Sequence, residues 1–173
     1  MVKTLKITPF IITLLLALPV SPLADGFKIT RVYDGDTVQA ETSERVIYMM
    51  LVGIDAPELS TRPGIGSQAF GQEAKEFLSN LVLNKSVEVR GYGKADHPYN
   101  NIISVIYFKN RNINLEMVKH GLAEVQRDNL PPGFDIGAYL EAEREAKEAK
   151  RGMWSLGDKY MSPQNWRNIH RGR

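Results

Sequence analysis

Asp34-Gly35-Asp36-Thr37 and Gly53-Ile54-Asp55-Ala56-Pro57-Glu58 are the two segments of the chain whose residue types and spacing could do chemistry. Each ends a run of β-formers, Phe27 to Tyr33 and Arg45 to Val52, so both acidic clusters fall where strands stop. Strand ends and the loops after them are where small sheets carry function. If a hairpin gathers Asp36, Asp55 and Glu58, their like charges repel, and the cluster is costly unless a cation sits among them. A few carboxylate oxygens suit a hard ion, Ca²⁺ or Mg²⁺. Taken singly, each segment is also ordinary turn chemistry, because Asp caps turns while Gly and Pro set their angles.

The elements that must position these residues follow from the pattern around them. Phe27 to Tyr33, Thr37 to Glu41 and Arg45 to Val52 are rich in Val, Ile, Thr and Tyr and predict a three-stranded meander. The continuous apolar run Val46 to Leu51 predicts a third strand covered on both faces. Ser60 to Ser67, with Pro63, Gly64 and Gly66, is a loop by composition. Ser67 is then expected to cap a helix whose apolar face is Phe70, Ala74, Phe77, Leu78 and Leu81. Ser86 to Tyr92 and Ile102 to Phe108 complete five strands. With a helix after the third, that order predicts an α+β fold built on an OB-fold β-barrel with about three helices.

Asn114 is expected to cap a short helix ending at Gly121, and Asp135 to open a longer one reaching Arg151. The longer helix carries an alanine stripe (Ala138, Ala142, Ala146, Ala149) beside a run of paired charges that reads as a solvated face. Beyond it, Ser155 to Arg173 is a tail whose Trp166 should pack back onto the domain, with its arginines available to a membrane surface or to nucleic acid.

Composition sets the compartment and the partners. Lys3 and Lys6 precede an uncharged stretch from Ile7 whose most apolar part, Phe10 to Val20, falls short of the roughly 20 residues a membrane-spanning helix needs. Residues 1–24 therefore read as a secretory signal peptide, leaving no span in the mature chain and a periplasmic or extracellular protein. An uncleaved anchor is the alternative, since cleavage after Ala24 puts Pro22 at the usually small −3 position. The chain has no cysteine, so neither a lipidated N-terminal Cys nor a disulfide can contribute.

Of 22 basic and 20 acidic residues, two lysines lie in the signal, so the remainder is formally neutral. Lys159, Arg167, Arg171 and Arg173 lie in the tail, which leaves residues 25–158 acidic on balance, unlike most nucleic-acid enzymes. The expected organisation is a signal peptide at 1–24, one OB-fold domain at 25–156 and a basic extension at 157–173, acting as a monomer.

In order and spacing the two acidic segments resemble the staphylococcal-nuclease (thermonuclease) family, whose signature is a DGDT hairpin followed by an R-x-x-x-x-D-[TA]-P-E strand end. Asp96 to Tyr107 stands in the place of that family's D-x-Y-G-R-x-L-A-x-x-Y strand. Asn114 to Val125 resembles its N-x-x-[ML]-V-x-x-G-L-A-x-V helix, and Ala146 to Trp154 its A-x-x-x-x-x-G-[ML]-W close. The resemblance runs from about Lys28 to Trp154.

It implies a Ca²⁺ held by Asp36, Asp55 and the carbonyl of Ala56, with Glu58 activating the attacking water and single-stranded DNA or RNA as substrate. It also marks a departure. The family arginine five residues before the strand-end aspartate is Met50 here, and the second, in the Y-G-R turn, falls on Asn101. Neither can make the bidentate fork arginine offers a phosphate. Arg62 in the loop and Arg127 after the second helix are the candidates to stand in, with Tyr99 a further substrate contact, while Arg45 is expected on the opposite face and His97 reads as a solvated loop residue.

Three readings follow: a secreted calcium-dependent phosphodiesterase; an OB-fold module that binds a cation or nucleic acid and has lost hydrolysis with its arginines; and a structural or protein-interaction domain whose acidic residues only shape turns.

Overall fold

The computed structural model describes residues 26–60, 64–95 and 102–170. The expected signal peptide, Arg62, His97, Tyr99 and Asn101 lie outside them. Five strands form the barrel: β1 (Phe27–Val32), β2 (Thr37–Glu41), β3 (Val46–Leu51), β5 (Ser86–Lys94) and β6 (Ile102–Phe108). They run in the order β3-β2-β1-β5-β6, and parallel pairing of β3 with β6, Met49 opposite Ile102, closes the sheet on itself. Closure removes the exposed edges an open sheet would present. The expected OB-type barrel is the observed one.

Strand alternation puts Val38 and Ala40 of β2 and Met49 and Leu51 of β3 in the core. In β1 the inward residues Ile29 and Val32 are three apart, which a strict two-residue period forbids. A bulge between Ile29 and Arg31 supplies the extra residue. β3 departs from its expected double coverage, because Val46 is 50% exposed and only Met49 and Leu51 are buried.

Helix α1 (Gly71–Val82) buries Ala74, Leu78 and Val82 against the barrel, and α2 (Ile113–Lys119) buries Ile113, Met117 and Val118. Both caps differ from expectation. Ser67 accepts the N–H of Ser60 instead of capping, and α1 starts after Phe70, which has a left-handed backbone (φ 68°) and makes no side-chain cap. The cap of α2 is Asn112, whose side chain accepts the Leu115 N–H. Asn114 is fully buried, donating to the carbonyls of Val52 and Ser104 and accepting from Ile106 N–H. An amide so placed ties the end of β3 to β6; left unpaired, each such buried group would cost about 1–3 kcal/mol.

Short strands β4 (Ile54–Asp55) and β8 (Glu124–Val125) pair with each other outside the barrel, and β7 (Arg111–Asn112) extends β6. Helix α3 (Gly137–Glu148) is shorter than expected. Asp135 accepts the Gly137 N–H just before it, and the inward face is Tyr139, Ala142, Glu143 and Ala146, with Ala138 and Ala149 exposed.

The C-terminal segment is ordered onto the domain. A 3₁₀ stretch (Gly152–Lys159) leads to α4 (Pro163–His170), which begins at Ser162-Pro163. Ser162 Oγ accepts the Asn165 N–H, and Pro163 fills a first-turn position where its missing N–H costs nothing. Trp166 is half-buried in a groove with Gln68, Ala69, Met153 and Leu156, as expected of a tail folded back.

Candidate active site

Asp34 builds the first segment. Its Oδ1 accepts the backbone N–H groups of Asp36 (3.0 Å) and Thr37 (2.7 Å), so the turn between β1 and β2 is fixed by a side chain. Gly35 is required there, because a Cβ would lie 2.6 Å from Ala56 Cβ and 2.8 Å from Ala74 Cβ. That close approach brings the two segments together. Asp36 Oδ2 accepts the Ala56 N–H at 2.8 Å, and its Oδ1 accepts from Thr37 Oγ1 at 3.0 Å. The structure thus puts Asp36 on the N–H of Ala56, whereas the resemblance assigned that residue's carbonyl to a metal.

The second segment is held from both sides. Asp55 pairs with Glu124 across β4 and β8, and Gln126 N–H donates to Gly53 O. Glu58 is gripped by Gln68, a buried side chain whose Oε1 accepts the Glu58 N–H while its backbone N–H donates to the Glu58 carbonyl. Gly71 lies against the same carbonyl, with room for no Cβ: one would stand 2.6 Å from Glu58 O.

Asp34, Asp36, Asp55 and Glu58 share a cleft of about 650 Å³. Burial pushes the Asp36 carboxyl well above the ordinary range, and the neighbouring Asp34 and Asp55 charges push it the same way against the Ala56 hydrogen bond. Burial also raises Glu58, although the hydrogen bond and charge of Arg167 pull it down.

Arg167, on α4, reaches into this cleft. Its Nη1 donates to Asp55 Oδ1 (2.9 Å) and Glu58 Oε1 (2.5 Å), and its Nη2 to Asp55 Oδ2 (2.7 Å). The bonds to Asp55 push its pKa further above the usual arginine value. From sequence, Arg167 lies in a tail whose arginines are available to a membrane surface or to nucleic acid; the structure places it on two of the three carboxylates singled out. The available signal was the Ser162-Pro163 helix start followed by Trp166, which predicts a docked helix but not its target.

The stand-ins expected from sequence fall elsewhere where they are described. Arg127 donates to Val125 O and pairs with Glu143 at 2.5 Å, away from the cleft. Arg45 is exposed beside Glu44. Met50 does line the cleft, opposite Thr37 in the β2–β3 ladder. The charge run of α3 is only partly the solvated face expected of it, for Glu143 is 3% exposed and bound by Val125 N–H, Arg127 and Lys147.

Among the described residues no three Asp, Glu or His side chains form a metal cage. The donor set present is smaller: Asp36, whose ionisation the Asp55 charge makes costlier, and Asp55 itself, in a cleft open to water. Such a set fits a hard divalent ion whose other ligands are carbonyl and water oxygens, because a cation relieves the crowding that burial imposes on Asp36. Both Asp55 oxygens are on Arg167, so an ion binding Asp55 uses their remaining lone pairs or displaces one of those hydrogen bonds.

Comparison with known proteins agrees with this architecture. Residues 48–156 match the staphylococcal nuclease homologue family, and the chain belongs to that family. An uncharacterized endonuclease of Haemophilus influenzae is 35% identical over 141 residues, 81% of this chain and 71% of that protein. Probable endonuclease LCL3 of Pyricularia oryzae is 32% identical over 134 residues, 73% of this chain, and its counterpart in Coccidioides posadasii 35% over 131 residues, 68% of this chain. The chain spans 50% and 40% of those two fungal proteins.

Proposed function

We propose that the protein is an exported, calcium-dependent phosphodiesterase that hydrolyses DNA or RNA in an extracytoplasmic compartment. The observation that carries this reading is the convergence of Asp36, Asp55 and Glu58 in one cleft, joined by the Asp36–Ala56 hydrogen bond. Family membership and endonuclease-named relatives support it. Residues 1–24 are its export signal, and among the described residues no helix is long and apolar enough to cross a membrane.

Asp36 and Asp55 would hold the ion, with the Ala56 carbonyl beside them. A bound Ca²⁺ would polarise the phosphodiester and lower the pKa of a coordinated water. Glu58 takes the proton of the attacking water, a role suited to a carboxylate whose pKa burial has raised. Gln68 fixes that carboxylate's backbone on both sides, so the base is aimed before substrate arrives.

A second reading rests on Met50, an uncharged side chain in the cleft where the family has arginine. On it, the protein binds a cation or nucleic acid without hydrolysis, and joint Met50→Arg and Asn101→Arg substitution creates activity. Incubating the purified protein with single-stranded DNA in Ca²⁺ or EDTA separates the two. Calcium-dependent cleavage above a Glu58→Gln control supports the first reading, and its absence supports the second.

A further inference from the structure

We propose that Arg167 is a catalytic residue, delivered by α4 to the non-bridging oxygens of the scissile phosphodiester in place of the cationic group that Met50 cannot supply. The inference rests on the phosphodiesterase reading. Phosphodiester hydrolysis gathers negative charge on the phosphoryl oxygens, and a preorganised guanidinium beside them lowers the barrier.

Among the described residues that line the cleft, Arg167 is the one basic side chain. It stands between Asp55 and Glu58, the side chains read as metal ligand and base, so a phosphate bridging them comes within its reach. Three of its five N–H donors are on carboxylates; Nε and the second Nη2 hydrogen make none of these bonds and can meet a phosphate.

The segment that carries it is anchored at several points. Tyr160 O–H donates to Glu124, the β-ladder partner of Asp55, and Gln68 Nε2 donates to Met161 O at 2.7 Å while its Oε1 holds Glu58. One glutamine therefore couples the base to the irregular segment that leads into α4. A tail held only by a surface ion pair would need none of this, and such a pair adds little stability.

In the step itself, water oxygen forms a bond to phosphorus, its proton passes to Glu58, and one P–O ester bond breaks. The leaving oxygen is protonated from solvent, giving a phosphomonoester and an alcohol. Arg167 stays protonated throughout and moves its donors from carboxylate to phosphate oxygens.

Two measurements on the purified protein test this. In Ca²⁺ with a single-stranded oligonucleotide, Arg167→Gln is expected to lose about 10²–10³ in kcat with a much smaller change in KM. Arg167→Lys should retain part of the rate, and added guanidinium ion should partly restore Arg167→Ala, a rescue that a structural strut would not show. In the cleavage-silent Glu58→Gln background, fluorescence anisotropy against salt should give a slope smaller by about 0.7 when Arg167→Gln is added, the loss of one phosphate contact.

An unchanged slope overturns the proposal, as does an Arg167→Gln protein that cuts at or above the wild-type rate. If the wild type does not cut but the slope falls, the phosphate contact stands and the hydrolase reading fails. If the wild type cuts and Arg167 is indifferent, only the present proposal fails.

Discussion

Glu143 and the pair Asp36 and Glu58 are all withdrawn from water, yet they are treated oppositely. Burial raises the pKa of Glu143 as well, but Arg127, Lys147 and the Val125 N–H together outweigh it and bring the carboxyl below its ordinary value. Among the described residues no cation touches Asp36 and Glu58 meets one N–H of Arg167, so burial wins at both. The difference separates a carboxylate that holds the fold from carboxylates kept short of charge compensation. The two regions are linked, since Glu143 holds Val125 while the adjacent Glu124 pairs with Asp55. A satisfied carboxylate thus helps to position Asp55, whose own oxygens are held by Arg167.

Substitutions can break this contrast. The largest effect is expected from Glu58→Gln, which should lower calcium-dependent cleavage by about 10²–10⁴-fold while leaving the thermal midpoint at or above wild type, measured by steady-state kinetics and a melting curve. At Glu143 the order reverses. Glu143→Ala should cost about 2–4 kcal/mol in urea unfolding, below the full loss of a buried pair because Arg127 and Lys147 are half-exposed.

Smaller and more diagnostic is the sign of the pH dependence in EDTA. The folded pKa of Glu143 lies below the ordinary 4.5, so the stability it adds is complete above that value and is lost as pH falls from there through the folded value. The folded pKa of Asp36 lies above 3.8, so the domain loses stability as pH rises from there toward the folded value. Difference curves of wild type against Glu143→Gln and against Asp36→Asn should slope in opposite directions. At neutral pH Asp36→Asn should raise Tm by on the order of 2–4 °C, the shift that about 1 kcal/mol produces in a chain of this length. Smallest is the effect of Arg167→Gln on calcium affinity, a tightening of about 3–10-fold by calorimetry, since both Asp55 oxygens are then free of the guanidinium.

The barrel and the acidic segments were legible because their signals are local: strand runs and an Asp-Gly turn. The cap of α1 was misread because Ser67 is engaged by Ser60 and the helix starts after a left-handed Phe70, and that of α2 because the sequence offers near-equivalent candidates. Asn112 and Asn114 both suit a helix start, and only the packing of β6 against α2 sends Asn114 inward. Glu143 sits in a regular run of charges, and nothing in that run says which glutamate faces β8.

Arg167 was out of reach for a plainer reason. It is 112 positions from Asp55, on a helix of eight residues whose amphipathic pattern names no partner. What couples it to the site is Gln68, an unremarkable loop glutamine until both of its ends are seen occupied.

That Asp36 and Asp55 form a divalent-cation site is tested most directly by calorimetric titration of Ca²⁺ into the purified protein beside Asp36→Asn. Saturable one-site binding in the wild type, lost on the substitution, is the predicted result. Absence of binding, or equal binding in both proteins, would contradict it.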